Sequence, residues 1–491
     1  VAVSPGGARA VPSVIITESW VGGAFIGSIR PPNRYPGGFK QSPGERSSMA
    51  DAGDVDLLDP FRQLRAFPRD VLVLSLAMFA FSLGFQMTGR YLPEYLTTLG
   101  ASAFVVGLYG TLGNVVGAVY PYPGGRLSDR IGSRVALTLF GVASSLGFLV
   151  WLVAPAAGTI RIAGVAIEPW GWIFVGLLLA QAWKSFGLGA TFAVVKQSVP
   201  PDRLARGFAS TEVFRRTAFL LGPLLAAGIL YGTATFTAGF RAILAVAVGA
   251  GVLATVAQHR LYDASEDTIG DEFAGVTDVV ADLRGLPSAL RPLLVADTLV
   301  RFANGMVYVF FVLVVTQLRE VGVSALGITL SPPVFFGVLL AIEMVVALVS
   351  MPPAARLAEV VGLTPVVALG FAVYATFPVL LILAPADPLV FGLLFAFSGL
   401  RFAGLPAHKA LIVGPAEAGG GGRVSGSYYL VRNAVVIPSA ALGGLLYGGV
   451  TLPVGVEVGG DPVLAFGTAS AIGLVGVAYF LWFGEEYDAY A

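Results

Sequence analysis

The sequence predicts an all-α membrane protein with twelve transmembrane helices in two parallel-repeat six-helix bundles. Three observations carry this prediction. Hydrophobic residues make up 56% of the 491-residue chain and charged residues 12%, about half the charged share usual in a soluble domain. The apolar residues fall in runs of about 18–25, the length at which a helix crosses a hydrocarbon core. Basic residues gather in alternate loops, and short motifs of the first half recur in order in the second.

Residues 1–60 are rich in Gly, Pro and Ser and contain no run long enough to span. They lack the basic start, apolar core and cleavage site of a secretory signal. The first methionine is Met49. A disordered tail and a segment upstream of the translation start are both open readings, and neither is given a function. Spanning segments are expected near 71–92, 103–122, 135–154, 171–197, 208–231 and 239–258, which form an N-terminal bundle within 61–258. A polar cytoplasmic linker, 259–291, includes the acidic stretch "DASEDTIGDEF". The C-terminal bundle, 292–485, takes segments near 292–317, 325–351, 364–384, 388–413, 425–449 and 463–483, and 486–491 form a short cytoplasmic tail.

Loop charges set the expected orientation. One side carries Arg62, Arg65, Arg69, Arg126, Arg130, Arg134, Lys196, Arg203, Arg206, Arg260, Arg284, Arg291, Arg356, Lys409 and Arg423. The other side offers Arg161, Arg241 and Arg319. Positive loops stay inside, so both termini of this multi-pass protein are expected in the cytoplasm, with the chain in the cytoplasmic (inner) membrane.

The repeat is read from paired motifs. "FSLG" from Phe81 answers "FANG" from Phe302, and "KSFGLGA" from Lys184 answers "RFAGLPA" from Arg401. Arg216, Gly228, Tyr231 and Gly232 answer Arg432, Gly444, Tyr447 and Gly448 at one constant offset. Two halves in the same orientation imply an axis along the membrane normal.

Composition removes several function classes. Thirty basic residues balance thirty acidic ones, so nothing in the bulk charge favours nucleic acid. There is no Cys and there are two His, with no His-x-x-Glu-His, no nucleophile elbow and no P-loop. Neither an enzyme nor an ATP-driven pump is expected, and no metal or cofactor.

The most informative polar stretch is "GGRLSDRIGSRV", Gly124 to Val135, in the loop between segments two and three. Its glycines permit a tight turn, Asp129 suits a helix N-terminus, and the arginines suit carboxylates on neighbouring helix ends. The plainer reading is a set of topology-setting loop charges, for Arg126 and Arg130 above all. Here the chain resembles the major facilitator superfamily, whose loop signature is Gly-x-x-x-Asp-(Arg/Lys)-x-Gly-(Arg/Lys)-(Arg/Lys). Gly125, Asp129, Arg130, Gly132 and Arg134 fit it, and Ser133 departs from it. A decayed copy, "ARLAEVVG", keeps Gly362 and replaces Asp by Glu359. The resemblance covers about 61–485. It implies a cytoplasmic latch at Gly125, Asp129, Arg130, Gly132, Arg134 and Glu359, closed in the outward-facing state. It also implies that segments three, six, nine and twelve face lipid, while one, four, seven and ten line the cavity.

Charges inside the segments are costly unless they face protein or water. Away from the segment edges, where Lys196, Arg241 and Lys409 lie, they are Arg90, Glu94, Lys184, Glu212, Arg215, Arg216, Asp297, Arg301, Glu343, Arg401 and Arg432, and none of these falls in segments three, six, nine or twelve. Arg90/Glu94, Glu212/Arg216 and Asp297/Arg301 are four apart and can neutralise each other on one helix face. By the repeat, Lys184 and Arg401 should face each other across the cavity. Together with Arg216 and Arg432 they are the expected substrate contacts, suited to an anionic group. The competing reading pairs these bases with Glu343 or Asp297. Glu343, which has no charged neighbour in its helix, is the first proton-coupling candidate and Asp297 the second.

"LGPLLAAG", with Gly222, Pro223 and Gly228, resembles the Gly-Pro-x-x-Gly-Gly motif of the superfamily's drug/proton antiporters. Ala226 and Ala227 replace its glycines, and close helix packing explains the stretch equally well. The antiporters' Arg-x-x-Gln-Gly of segment four is missing, since Trp183 and Phe186 hold its Arg and Gln positions. His408 is expected to be solvated near an interface, and Lys409 to snorkel. The expected protein is a monomeric secondary active transporter. It moves a small organic solute, with an anionic substrate and H+ as coupling ion, and export is the preferred direction. A multidrug or lipophilic-cation antiporter is the alternative, and a non-transporting membrane sensor is the alternative of another class.

Overall fold

Helix occupies at least part of each of the twelve expected stretches. A computed structural model describes residues 69–120, 131–162, 165–184, 204–263, 287–325, 327–415, 421–451 and 457–486, with side chains 71, 160, 162, 165, 204–214, 421–423, 451, 457 and 458 outside the description. The helices are α1 (Arg69–Thr88, continued by Leu92–Thr98), α2 (Ala103–Val119), α3 (Ser133–Ala157), α4 (Gly171–Ala182), α5 (Leu204–Tyr231) and α6 (Phe236–Leu261). The second half has α7 (Arg291–Val307, continued through 308–318), α8 (Pro332–Val361), α9 (Leu363–Leu383), α10 (Pro388–Gly399, continued by Leu405–Val413), α11 (Gly421–Val436, continued by Ser439–Gly448) and α12 (Pro462–Phe483). Among the described residues, eight helical stretches are long and apolar enough to cross a membrane, or nine if the two parts of α1 count as one.

Three connections carry short antiparallel hairpins: β1 (Ile160–Ile162) with β2 (Val165–Ile167), β3 (Val323–Ala325) with β4 (Ile328–Leu330), and β5 (Val450–Thr451) with β6 (Glu457–Val458). They follow α3, α7 and α11, so all lie at one end of the bundle, the hairpin end. The ends of α2 and α6 and the starts of α3 and α7 lie at the other, the linker end. Four of the six helices that start at the hairpin end are capped by a side chain of their own sequence. Ser102, Thr235, Asp387 and Asp461 accept the backbone N–H of Val105, Ala238, Val390 and Val463 in α2, α6, α10 and α12, satisfying donors that a helix start leaves unpaired.

Within the first half α1 packs on α5 and α6, α6 on α3, and α3 on α4. In the second half α7 packs on α11 and α12, α12 on α9, and α8 on α10. The main contacts between halves are α2 with α11 and α5 with α8. Moving each helix on by six turns the first pair into the second, as a two-fold axis between two parallel repeats requires. Helix α3 leaves Val135, Leu139, Val142, Leu146, Leu149 and Val153 exposed, one stripe at the helical period. α6, α9 and α12 also expose large apolar side chains, as the lipid-facing positions require. So does α10, at Leu389 and Leu393.

The seam between the halves is closed at the hairpin end by small residues. A Cβ on Gly107 would overlap the Ala440 carbonyl, one on Gly444 would lie 2.8 Å from the Ala103 carbonyl, and one on Gly337 2.8 Å from the Pro223 carbonyl. Lipid tails give apolar surfaces little reason to associate, so membrane helices adhere through such close backbone approach. Polar contacts add to it. The Tyr91 hydroxyl donates to Pro333 O at 3.0 Å, Gln317 Nε2 to Thr97 Oγ1 at 2.7 Å, and Ala441 N to Thr111 Oγ1 at 2.9 Å.

The repeat extends to backbone conformation. Gly132 and Gly362 precede α3 and α9 with φ of 81° and 91°, a region that a side chain makes costly. Each junction is tied to the end of its half. Arg134 Nε donates to His259 O at 2.7 Å, and Glu486 accepts Leu363 N at 2.6 Å and Thr364 N at 2.9 Å. Of the signature loop, Gly125, Asp129 and Arg130 lie outside the described residues. Glu359 is exposed on the last turn of α8.

Candidate functional site

The helices expected to line the cavity are the irregular ones. α1 bends by 46° between Thr88 and Leu92, where Gly89 and Pro93 bracket Arg90. α7 passes through 3-10 turns at Tyr308–Phe310 and a π-helical turn at Val314–Leu318. α10 tightens to 3-10 at Leu400–Phe402, so Arg401 sits in a break, and its repeat counterpart Lys184 lies just past the regular part of α4. Broken helices at mid-depth place polar backbone and charged side chains where a membrane transporter holds its cargo.

A cleft of about 880 Å³ opens between the halves, lined among others by Arg90, Gln181, Lys184, Arg215, Tyr308 and Glu343. Aromatic rings from Phe85, Tyr109, Trp151, Phe219 and Phe402 complete it. A second cleft of about 740 Å³, lined by Asn114, Arg301, Asn304, Arg432 and Asn433, shares Tyr308 with the first.

The charges meet differently from the local pairing expected for α1. Arg90 does not turn to Glu94. Its Nη2 lies 3.2 Å from Glu343 Oε2, across the seam, with its guanidinium 4.1 Å over the Tyr308 ring. Glu343 has no charged neighbour in its own helix, yet it holds Arg401 Nη2 at 2.7 Å and accepts the Ser398 hydroxyl at 2.6 Å. Arg401 is 2% exposed and absent from both cleft walls, so it does not face Lys184 across open space. It stands behind Glu343, against the rings of Phe402 and Tyr374 at 4.7 and 5.1 Å.

Asp297 and Arg301 do pair along their helix, at 3.2 Å. The fully buried Asp297 also accepts Arg432 Nη1 at 3.1 Å and the Tyr428 hydroxyl at 3.2 Å, with His408 Nε2 3.4 Å away. His408 is 2% exposed, which corrects the expectation of a solvated imidazole. Its helix carries it under Phe371 and Tyr428. Arg301 Nη1 donates to the Tyr374 hydroxyl at 2.9 Å, and Arg301 and Arg401 both lie against the Tyr374 ring. One polar network thus runs from Asp297 through Tyr374 to Glu343 and Arg90.

Of the other expected residues, Arg216 is 9% exposed, and the Glu212 side chain lies outside the description. Gly222 packs against Gln86, with 2.5 Å left for a Cβ, and Pro223 lies on the seam against Gly337. Gly228 meets nothing within 4 Å, so it serves no close packing here. Tyr308, Tyr374 and Ser398 were not singled out in the sequence. Tyr308 follows Arg301 and Asn304 by seven and four residues, one helix face. Nothing in the sequence marks Ser398.

Comparison with known proteins fits this geometry. The family description Major Facilitator Superfamily matches residues 20–168 and 74–342, together more than half of the chain. The chain belongs to the major facilitator superfamily. Similar solved structures include the nucleoside transporter NupG, at 11% identity and a TM-score of 0.65, covering 84% of this chain and 98% of that one. A bacterial homologue of the iron transporter ferroportin in an inward-facing state is similar at 14% identity and a TM-score of 0.64, covering 85% and 99%. A POT family transporter in complex with 5-aminolevulinic acid is similar at 13% identity and 0.62, covering 86% and 99%. At these identities the likeness is one of fold. A search of curated proteins gives no match. A superfamily transporter rather than an enzyme is the reading these findings support.

Proposed function

We propose that this superfamily member is a monomeric secondary active transporter of the cytoplasmic membrane that moves a small organic solute bearing an anionic group, with H+ as coupling ion. The observation that carries the substrate class is the wall of the cleft around Lys184. Arg90, Lys184 and Arg215 line it, and Glu343 is the one carboxylate among its described lining residues. Guanidinium and ammonium groups at mid-membrane suit a carboxylate or phosphate, and the surrounding rings suit an apolar body.

Alternating access follows from the seam. The halves touch at the hairpin end, and Arg90 and Glu343 join them by an ion pair at 3.2 Å. A bound anion competes with Glu343 for Arg90, so loading loosens this tie and lets the halves rock. If the basic loops and both termini are cytoplasmic, closure of the seam at the hairpin end supports an inward-facing reading of this conformation. Export is supported by the antiporter-like stretch that puts Gly222 and Pro223 on α5, next to Gln86 and the seam. A lipophilic-cation antiporter is the less favoured reading, because cations dominate the cleft wall. The test is uptake by proteoliposomes of radiolabelled aromatic carboxylates and of lipophilic cations under an imposed pH gradient. Flux of carboxylates supports the reading, and flux of cations alone overturns it.

A further inference from the structure

Glu94 is the buried carboxyl that the ion-pair network leaves out. Glu343 and Asp297 each hold two guanidiniums. Glu94, 6% exposed, forms no ion pair among the described residues, and its Oε2 is buried with no hydrogen-bond partner. It sits past the bend of α1, where the seam meets α7, beside Thr316 in the π-helical turn. Such turns recur at functional sites. The Thr316 hydroxyl donates to Val312 O at 2.8 Å.

The other groups nearby are engaged elsewhere. On α1, the Tyr91 hydroxyl donates to Pro333 O, the Tyr95 hydroxyl to Trp151 O, and Arg90 reaches Glu343. Gln317 of α7 reaches Thr97, Arg319 at its end reaches Ile382 O, and Arg241 of α6 lies by Tyr95.

The geometry points to Glu94 as the proton-binding site that couples pH to the closing of the hairpin end. A carboxylic acid is far cheaper to bury without a counter-charge than a carboxylate. In this closed state Glu94 is sealed between α1 and α7, and parting of the halves exposes it to the solvent of the hairpin end. A proton taken from that solvent onto a carboxylate oxygen therefore favours the closed hairpin end, and loss of the proton favours the open one. The inference rests on the alternating-access reading above and supplies its coupling ion.

The chain has no cysteine, so spin labels go on Ala166→Cys and Ser324→Cys, exposed hairpin positions of the two halves. Their distance is measured in lipid nanodiscs from about pH 5 to about pH 9, a range that brackets titration of a buried carboxyl. The expected result is a short distance at low pH that lengthens as pH rises, and a short distance at every pH in Glu94→Gln. A pH response that persists in Glu94→Gln, or no response in the parent, overturns the proposal. If Glu94→Gln does not fold, Glu94→Asp decides: it must keep the response, and loss of the response contradicts the site. Gly107→Leu wedges the seam apart by sterics alone. If even that variant stays short, it is the alternating-access reading that fails.

Discussion

Arg90 and Glu343, 253 positions apart in sequence, meet at 3.2 Å across the seam between the two halves. Behind them Arg401 holds the other Glu343 oxygen at 2.7 Å, so one carboxylate ties a guanidinium from each half. The two ties are unequal. Arg401 is almost fully buried, whereas the Arg90 side chain keeps 13% exposure on the cleft.

Loss of the carboxylate should therefore cost more than loss of the outer arginine. Glu343→Gln strands the buried Arg401 without its counter-charge, and breaking a buried pair in this way costs about 3–5 kcal/mol. Arg90→Ala leaves Glu343 with Arg401 and Ser398 and should cost less than half as much. Thermal unfolding in detergent measures both. An Arg90→Ala variant less stable than Glu343→Gln would contradict this ranking.

Glycines on the seam should govern the conformational balance, and glycines elsewhere only stability. Gly107→Ala drives a methyl into the Ala440 carbonyl across the halves, and should shift the population toward an open hairpin end. Gly443→Ala meets the Met306 backbone inside the second half, so it should lower the melting temperature and leave that balance unchanged. Gly228→Ala, with open space around it, should be neutral in both. Alkylation rates of a single introduced cysteine at the hairpin end, set beside melting temperatures, separate the three.

Gly132 and Gly362 should be intolerant for a different reason. Their positive φ lies where side chains clash with their own backbone, so Ala at either should cost about 1–3 kcal/mol. A larger loss of transport for Gly132→Ala than for Gly362→Ala would assign the first junction a role in gating. Equal losses would make both purely structural. Flux in proteoliposomes, set beside melting temperature, distinguishes the two.

Much of this fold was legible in the sequence because the bilayer imposes length and polarity on every span. The stretches near 135–154 and 364–384 are found as α3 and α9, and the Asp297/Arg301 pair forms because four residues bring side chains onto one face. Pairings across the bundle left no such mark. Arg90 was assigned to Glu94 by the same spacing rule, and it chose Glu343 because the bend at Gly89 turns it toward the seam. Lys184 and Arg401 are matched by the repeat, yet a cleft surrounds the first and Glu343 screens the second. His408 lacked a local signal because its neighbour Asp297 comes from another helix.

The central claim is that the cleft around Lys184 and Arg215 takes an organic anion. Thermal unfolding of the purified protein with a set of aromatic carboxylates, organic phosphates and lipophilic cations tests it most directly. A ligand bound to the folded state alone adds about 2.7 kcal/mol at a hundredfold excess over Kd. The account predicts stabilisation by anions, lost in Lys184→Ala and Arg215→Ala. Stabilisation by cations alone, or by anions equally in both variants, would contradict it.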